Sequence, residues 1–152
     1  MTSEWNATLR TALTRTLEDL CFVAPDPDAA SAADLPLEAA ALVAFTGPLA
    51  GRLLVRVRGQ ALAAITMDML GSEGTPEPGE QQDCLAEIAN VACGTTLPLL
   101  GDPRAVFDVA SPVVRWRGEP EPTGQRVADA TLSFETGAAE LVLFIDAAGG
   151  AP

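Results

Sequence analysis

Asp83-Cys84-Leu85-Ala86-Glu87-Ile88-Ala89-Asn90-Val91-Ala92-Cys93-Gly94 has helical spacing and two unlike faces. At about 100° per residue, Leu85, Ile88, Ala92 and Thr95 form one apolar stripe, which predicts a helix laid on a core. Glu87 and Asn90, three apart, share the opposite side, with Asp83 one turn earlier. A carboxylate and a carboxamide held side by side on a rigid element can grip a cation and position a water. The full helix is expected over residues 80–97, with Pro98 close to its end.

The segments on either side set the fold class. Residues 38–46 and 51–58 read as two strands around the turn Gly47-Pro48-Leu49-Ala50. In the second, Leu53, Val55 and Val57 alternate with Arg52, Arg56 and Arg58, giving one buried face and one wetter face. Residues 60–70 form a short helix stopped by Gly71, and 71–79 a loop. A first helix is expected over 3–20, with Ser3 as N-cap and Leu9, Leu13, Thr16, Leu17 and Leu20 on its apolar stripe, followed by a loop at 25–37. Beyond the central helix, 106–110, 113–117, 126–134 and 139–146 are strand-like. The last two are joined by a hairpin turn at 135–138, and 118–124 is a loop tip. Strands that come in runs between helices pair antiparallel with their neighbours. The expected class is therefore α+β, a mostly antiparallel sheet with two long helices packed on one face.

At 152 residues the chain suits one domain, residues 1–152, with its own core. Nearly half of it is hydrophobic (48%), which predicts a globular protein. No apolar run reaches membrane-span length, and Met1-Thr2-Ser3-Glu4-Trp5 lacks the profile of a secretory signal, so a cytoplasmic protein with no membrane contact is expected. The chain has no His, Lys or Tyr; its nine basic residues are all Arg. That removes Ser-His-Asp and Cys-His catalysis, histidine metal sites, the phosphate-loop lysine and Schiff-base chemistry. Cys21, Cys84 and Cys93 form no Cys-x-x-Cys pair and read as buried thiols. A net charge of −12 repels phosphate backbones, so no nucleic-acid partner is expected.

Glu-x-x-Asn spacing alone also describes a solvated helix face. Asn90, however, is one of only two asparagines, the other being Asn6. Asn is a poor helix-interior residue because its side chain competes for backbone hydrogen bonds. Placed where Ala would be more stable, it breaks a local rule in the way functional residues do. Other features have plain readings: Trp116 inward between the outward Arg115 and Arg117 of a strand, Asp26 and Asp28 as loop carboxylates, Met67 and Met69 as helix packing and surface.

The pattern Asp-x-Leu-x-Glu-Ile-x-Asn-x-x-x-Gly, on Asp83, Leu85, Glu87, Ile88, Asn90 and Gly94, resembles the signature helix of the CheC/CheX family of chemotaxis phosphatases. Phe45-Thr46-Gly47 followed by Gly51-Arg52-Leu53-Leu54-Val55 is similar to that family's strand pair, and 61–71 to the small helix after it. The resemblance covers residues 40–100 by motif and the two ends by layout. It implies hydrolysis of the acyl phosphate on a receiver-domain aspartate of a CheY-like response regulator. Glu87 would bind a lysine of the receiver's active site, and Asn90 would orient the attacking water. The required Mg²⁺ would sit in the receiver's acidic pocket, so this chain would need no cofactor or metal of its own. A second Glu-x-x-Asn, present in the first helix of CheC-type members, is broken here by Cys21 after Glu18, leaving the single-site, CheX-like arrangement. The resemblance also implies a homodimer formed through the sheet. Two alternatives remain: a non-catalytic module of the same fold that docks on a receiver or scaffold, and unrelated chemistry on the paired carboxylates Asp83 and Glu87.

Overall fold

The computed structural model describes residues 2–21, 34–117 and 122–146. Most of the expected loop at 25–37, and residues 118–121 of the loop tip, lie outside the described residues. In chain order the elements are α1 (Thr2–Leu20), β1 (Leu37–Thr46), β2 (Gly51–Gly59), α2 (Ala61–Leu70) and α3 (Pro78–Thr96). After the 3-10 turn Leu97–Leu99 come β3 (Asp108–Val109), β4 (Val113–Trp116), β5 (Gln125–Ser133) and β6 (Gly137–Ile145). The strands form one sheet in the order β3-β1-β2-β6-β5, with β4 also on β1, and every described pairing is antiparallel. This is the α+β architecture expected, with α1 and α3 side by side on one face. Helix α1 covers β5 and β6, α3 covers β1 and β2, and α2 packs beside α3.

Local chemistry explains the boundaries. Gly71 ends α2 in the left-handed conformation (φ 64°), which glycine adopts without a Cβ penalty. Helix α3 starts two residues earlier than expected, because Pro78 occupies its first turn and the Glu80 carboxylate accepts the Glu77 N–H at 2.9 Å. Helix α1 starts at Thr2, so Ser3 lies inside its first turn rather than capping it.

Between sheet and helices lies one large core. Leu9, Leu13 and Leu17 of α1 and Leu85, Ile88 and Ala92 of α3 meet Val43, Phe45, Leu53, Val55, Leu141 and Leu143 of the strands, all buried. Three buried threonines, one per helix, would each strand a hydroxyl in this core. Each donates instead to the carbonyl four residues back: Thr16 to Ala12 at 2.7 Å, Thr66 to Leu62 at 2.7 Å, Thr96 to Ala92 at 2.6 Å. On α3 the buried threonine is Thr96, and Thr95, expected on the apolar stripe, is half-buried.

Two sequence readings need correction. The second face of β2 is not simply wet: Leu54 is buried there with Ala40 and Val142, flanked by half-buried Leu42 and Phe144. The arginines ring this apolar centre through ion pairs, Arg56 to Glu140 at 3.1 Å, Arg52 to Asp146 at 2.7 Å, and Arg58 to Glu140. Trp116 pairs with Ala39 and shares the helix-covered side with Val114, yet is 41% exposed. Strand β4 lies at the sheet margin, where α3 covers Val114 but leaves Trp116 partly open.

Candidate functional site

Helix α3 places Glu80, Asp83, Glu87, Asn90 and Gly94 on its exposed side. At 100° per residue these five fall within a sector of about 80°, forming one outward stripe along the helix. The opposite side, Cys84, Leu85, Ile88, Ala89, Ala92 and Cys93, is buried. That burial fixes the rotation of the helix, and with it the direction in which Glu87 and Asn90 point.

Both candidate residues are exposed, adjacent on the helix and unengaged. Among the described residues neither side chain has a hydrogen-bond or ion-pair partner within the molecule. Asn6 differs: its Oδ1 accepts the Asp129 N–H at 2.9 Å, tying α1 to the outer edge of β5. Asp83 and Glu87 also share the stripe. Among the described residues they belong to no cluster of three or more His, Cys, Asp or Glu able to hold a metal ion.

The second motif position is closed. Cys21, just after α1, is 3% exposed, and its thiol donates to the Leu17 carbonyl at 3.2 Å, so its side chain does not face outward beside Glu18. The α3 thiols are also held back from chemistry. Burial pushes the Cys93 thiol up to about 12. Cys84 is raised as well, chiefly by burial, opposed by a hydrogen bond with Thr66 and reinforced by the charges of Asp83, Glu80 and Glu87. A thiol in such surroundings is protonated at neutral pH and is a poor nucleophile.

Neither of two hollows among the described residues involves the Glu87–Asn90 pair: one lies against Phe45, Thr46, Asp108 and Val109. The other, of about 580 Å³, opens near the end of α3, lined by Trp5, Leu49, Leu97, Leu100 and Phe107. The pair instead stands on the exposed face of a helix. Small-molecule sites are concave and bury most of their ligand. A pair on an exposed helix face is placed where another macromolecule can reach it.

Among the described residues no helix is long and apolar enough to cross a membrane. No family model matches the chain, and no curated protein matches it in sequence. Solved structures do match. The chemotaxis protein CheX of Vibrio vulnificus is similar at a TM-score of 0.76 and 18% identity, over 96% of this chain and 99% of that one. CheX of Borrelia burgdorferi, solved in a complex with CheY, BeF3 and Mg²⁺, is similar at a TM-score of 0.69 and 13% identity, over 93% and 97% of the two chains. FliY of Thermotoga maritima is similar at 0.57 and 15%, over 95% and 91%. The order of elements, the antiparallel sheet and the paired long helices are thus those of known proteins, and the chain has the fold of the CheX and CheC-like chemotaxis proteins.

Proposed function

We propose that this protein hydrolyses the aspartyl phosphate of a response-regulator receiver domain. The observation that carries this reading is the exposed, unengaged Glu87–Asn90 pair on a helix whose buried face locks its orientation. Such a pair is built to enter a partner's site. The fold, shared with a CheX that was solved bound to CheY, supports a receiver as that partner.

In this mechanism Glu87 accepts a charge-assisted hydrogen bond from a receiver lysine and anchors the complex. The Asn90 carboxamide enters beside the phosphoryl group, its oxygen accepting a hydrogen bond from the attacking water and its nitrogen donating one. The water oxygen bonds to phosphorus in line as the bond to the aspartate oxygen breaks. The electron pair stays on the aspartate, the water proton passes to a phosphate oxygen, and inorganic phosphate leaves. Positioning supplies the acceleration, which is the usual protein contribution to phosphoryl transfer. Magnesium belongs to the receiver in this scheme.

The test is the decay of purified receivers, phosphorylated on aspartate, with and without the protein. Asn90→Ala is expected to lower turnover by on the order of 10²-fold with binding retained, since it removes the water-orienting amide. Glu87→Ala should act mainly on affinity, by about 10-fold, because it removes one charged anchor. Full activity in Asn90→Ala would sink the mechanism. A wild-type protein that binds a receiver but leaves its phosphate intact would instead establish the docking module.

A further inference from the structure

Gly94 lies in the last turn of α3, which runs on without a break into the 3-10 turn Leu97–Leu99, so helical backbone flanks it on both sides; it follows Asn90 by four residues on the same exposed stripe. Glycine is the poorest helix former after proline, so a helix interior keeps one only for a reason. Several other glycines have theirs inside the molecule, and Gly74 and Gly101, in open space, lie outside the helices. A Cβ on Gly51 or Gly137 would come within 2.0 or 2.1 Å of a strand carbonyl oxygen, and Gly59, Gly71 and Gly124 hold positive φ. Gly94 has neither reason: a Cβ there meets no atom within 4 Å, and its backbone is ordinary helix. Gly79, also in open space, sits in the first turn of α3, where the helix is only beginning.

The direction of helical side chains says what a residue at position 94 would obstruct. Side chains lean toward the helix N-terminus and cover the turn before their own Cα. A side chain at 94 would therefore stand over the turn that carries Asn90, about 6 Å back along the axis. The other approach to Asn90 along the stripe is lined by the carboxylates of Glu87, Asp83 and Glu80, which repel an anionic phosphoryl group and attract a cation. The stripe is thus polarised, with room for a cation on the N-terminal side of Asn90 and for an anion on the Gly94 side.

We propose that Gly94 is a positioning residue whose bare backbone keeps open the approach by which a receiver's phosphorylated-aspartate loop reaches Asn90. This rests on the phosphatase reading above and adds the side from which the phosphoryl group comes. The experiment compares wild type with Gly94→Ala, Gly94→Gln and Gly79→Ala, measuring receiver-phosphate decay across receiver concentrations, and thermal melting, with the receivers of the same genome as probes. Both Gly94 variants should melt higher than wild type, by about 2–4 °C for a helix-favouring replacement in a chain of this size. Their kcat/KM should nevertheless fall, by on the order of 10-fold for Ala, chiefly through KM, and by on the order of 10²-fold for Gln, through kcat as well. Gly79→Ala should leave both constants unchanged. A more stable yet less active protein is the signature of clearance for a partner, which a purely structural glycine cannot produce. Gly94→Gln with wild-type kcat and KM would overturn this inference and leave the phosphatase reading standing. A wild-type protein that neither binds nor dephosphorylates any of those receivers would overturn both.

Discussion

Asn6 and Asn90 are the chain's two asparagines, and they stand in opposite circumstances. Asn6 is half-buried and satisfies the Asp129 N–H on the outer edge of β5; Asn90 is exposed and bonds to nothing among the described residues. Their replacements should therefore separate stability from function. Asn6→Ala is expected to cost about 1 kcal/mol in denaturant unfolding, because a backbone donor at the sheet edge loses its acceptor, with turnover per folded molecule unchanged. Asn90→Ala should gain about 0.5 kcal/mol, since Ala is the better helix former, while losing turnover. An Asn90→Ala protein that unfolds more easily than wild type would show that Asn90 serves the fold. The sequence singles out Asn90 by its poor fit to a helix interior, a signal legible without the structure because propensity is a local property. The work of Asn6 was not legible, because its partner is more than a hundred residues away in sequence.

Among the elements, those with strong periodicity or a definite stop were readable: α1, α2 with Gly71, α3, the β1–β2 pair and the β5–β6 hairpin lie within a few residues of expectation. The segment 106–117 was readable only in part: the strand expected at 113–117 stands as β4, and the one before it does not. Its five-residue strand at 106–110 shrinks to Asp108–Val109, with Val106 82% exposed and Phe107 turned edge-on against Phe45 at 5.9 Å between ring centroids. Strand β1 accepts β3 at Phe45–Thr46 and β4 at Ala39–Leu42, so one edge is shared by two short pieces with Pro112 between them. A composition rich in Val marks strand character but not where pairing is interrupted. Glu38 is a second long-range feature. From β1 its carboxylate accepts the Leu62 N–H at 3.2 Å and so closes the first turn of α2, which has no side-chain cap of its own. Burial raises its pKa from 4.5, partly opposed by that hydrogen bond. A carboxyl with a raised folded pKa binds its proton more tightly when folded. Its contribution to stability is full below about 4.5 and is lost as pH rises through the folded value. Glu38→Gln keeps an oxygen acceptor and removes the ionisation. Its melting temperature at pH 7 should equal or exceed that of wild type, and the difference between the two should shrink toward pH 4. A variant less stable at pH 7 than at pH 4, relative to wild type, would show that the charge itself supports the α2 cap.

For the molecule as a whole, the sheet's two edges are treated differently. The β5 edge is sealed by α1, through Asn6 and through Arg10, which donates to the Thr131 carbonyl at 3.2 Å. No described strand lies beyond β3 and β4, and that edge exposes Val109 (45%), Val113 (46%) and Trp116 (41%). An exposed apolar edge offers unpaired backbone groups to another strand, and a second copy related by a two-fold axis can close both edges at once. We therefore expect a homodimer joined at β4, with the outward stripe of α3 left free for a receiver. Sedimentation at micromolar concentration should give twice 15.7 kDa. Val113→Lys should return the monomer, because it places a charge in the middle of the new contact, while leaving receiver dephosphorylation per chain intact. A wild-type protein that sediments as a single chain would sink the dimer, and a dimer that hides Asn90 would sink the placement of the site. If Val113→Lys stayed dimeric, the contact would lie elsewhere. The face centred on Leu54 and Val142, with Leu42 and Phe144 half-buried beside it, is the other apolar surface the sheet offers.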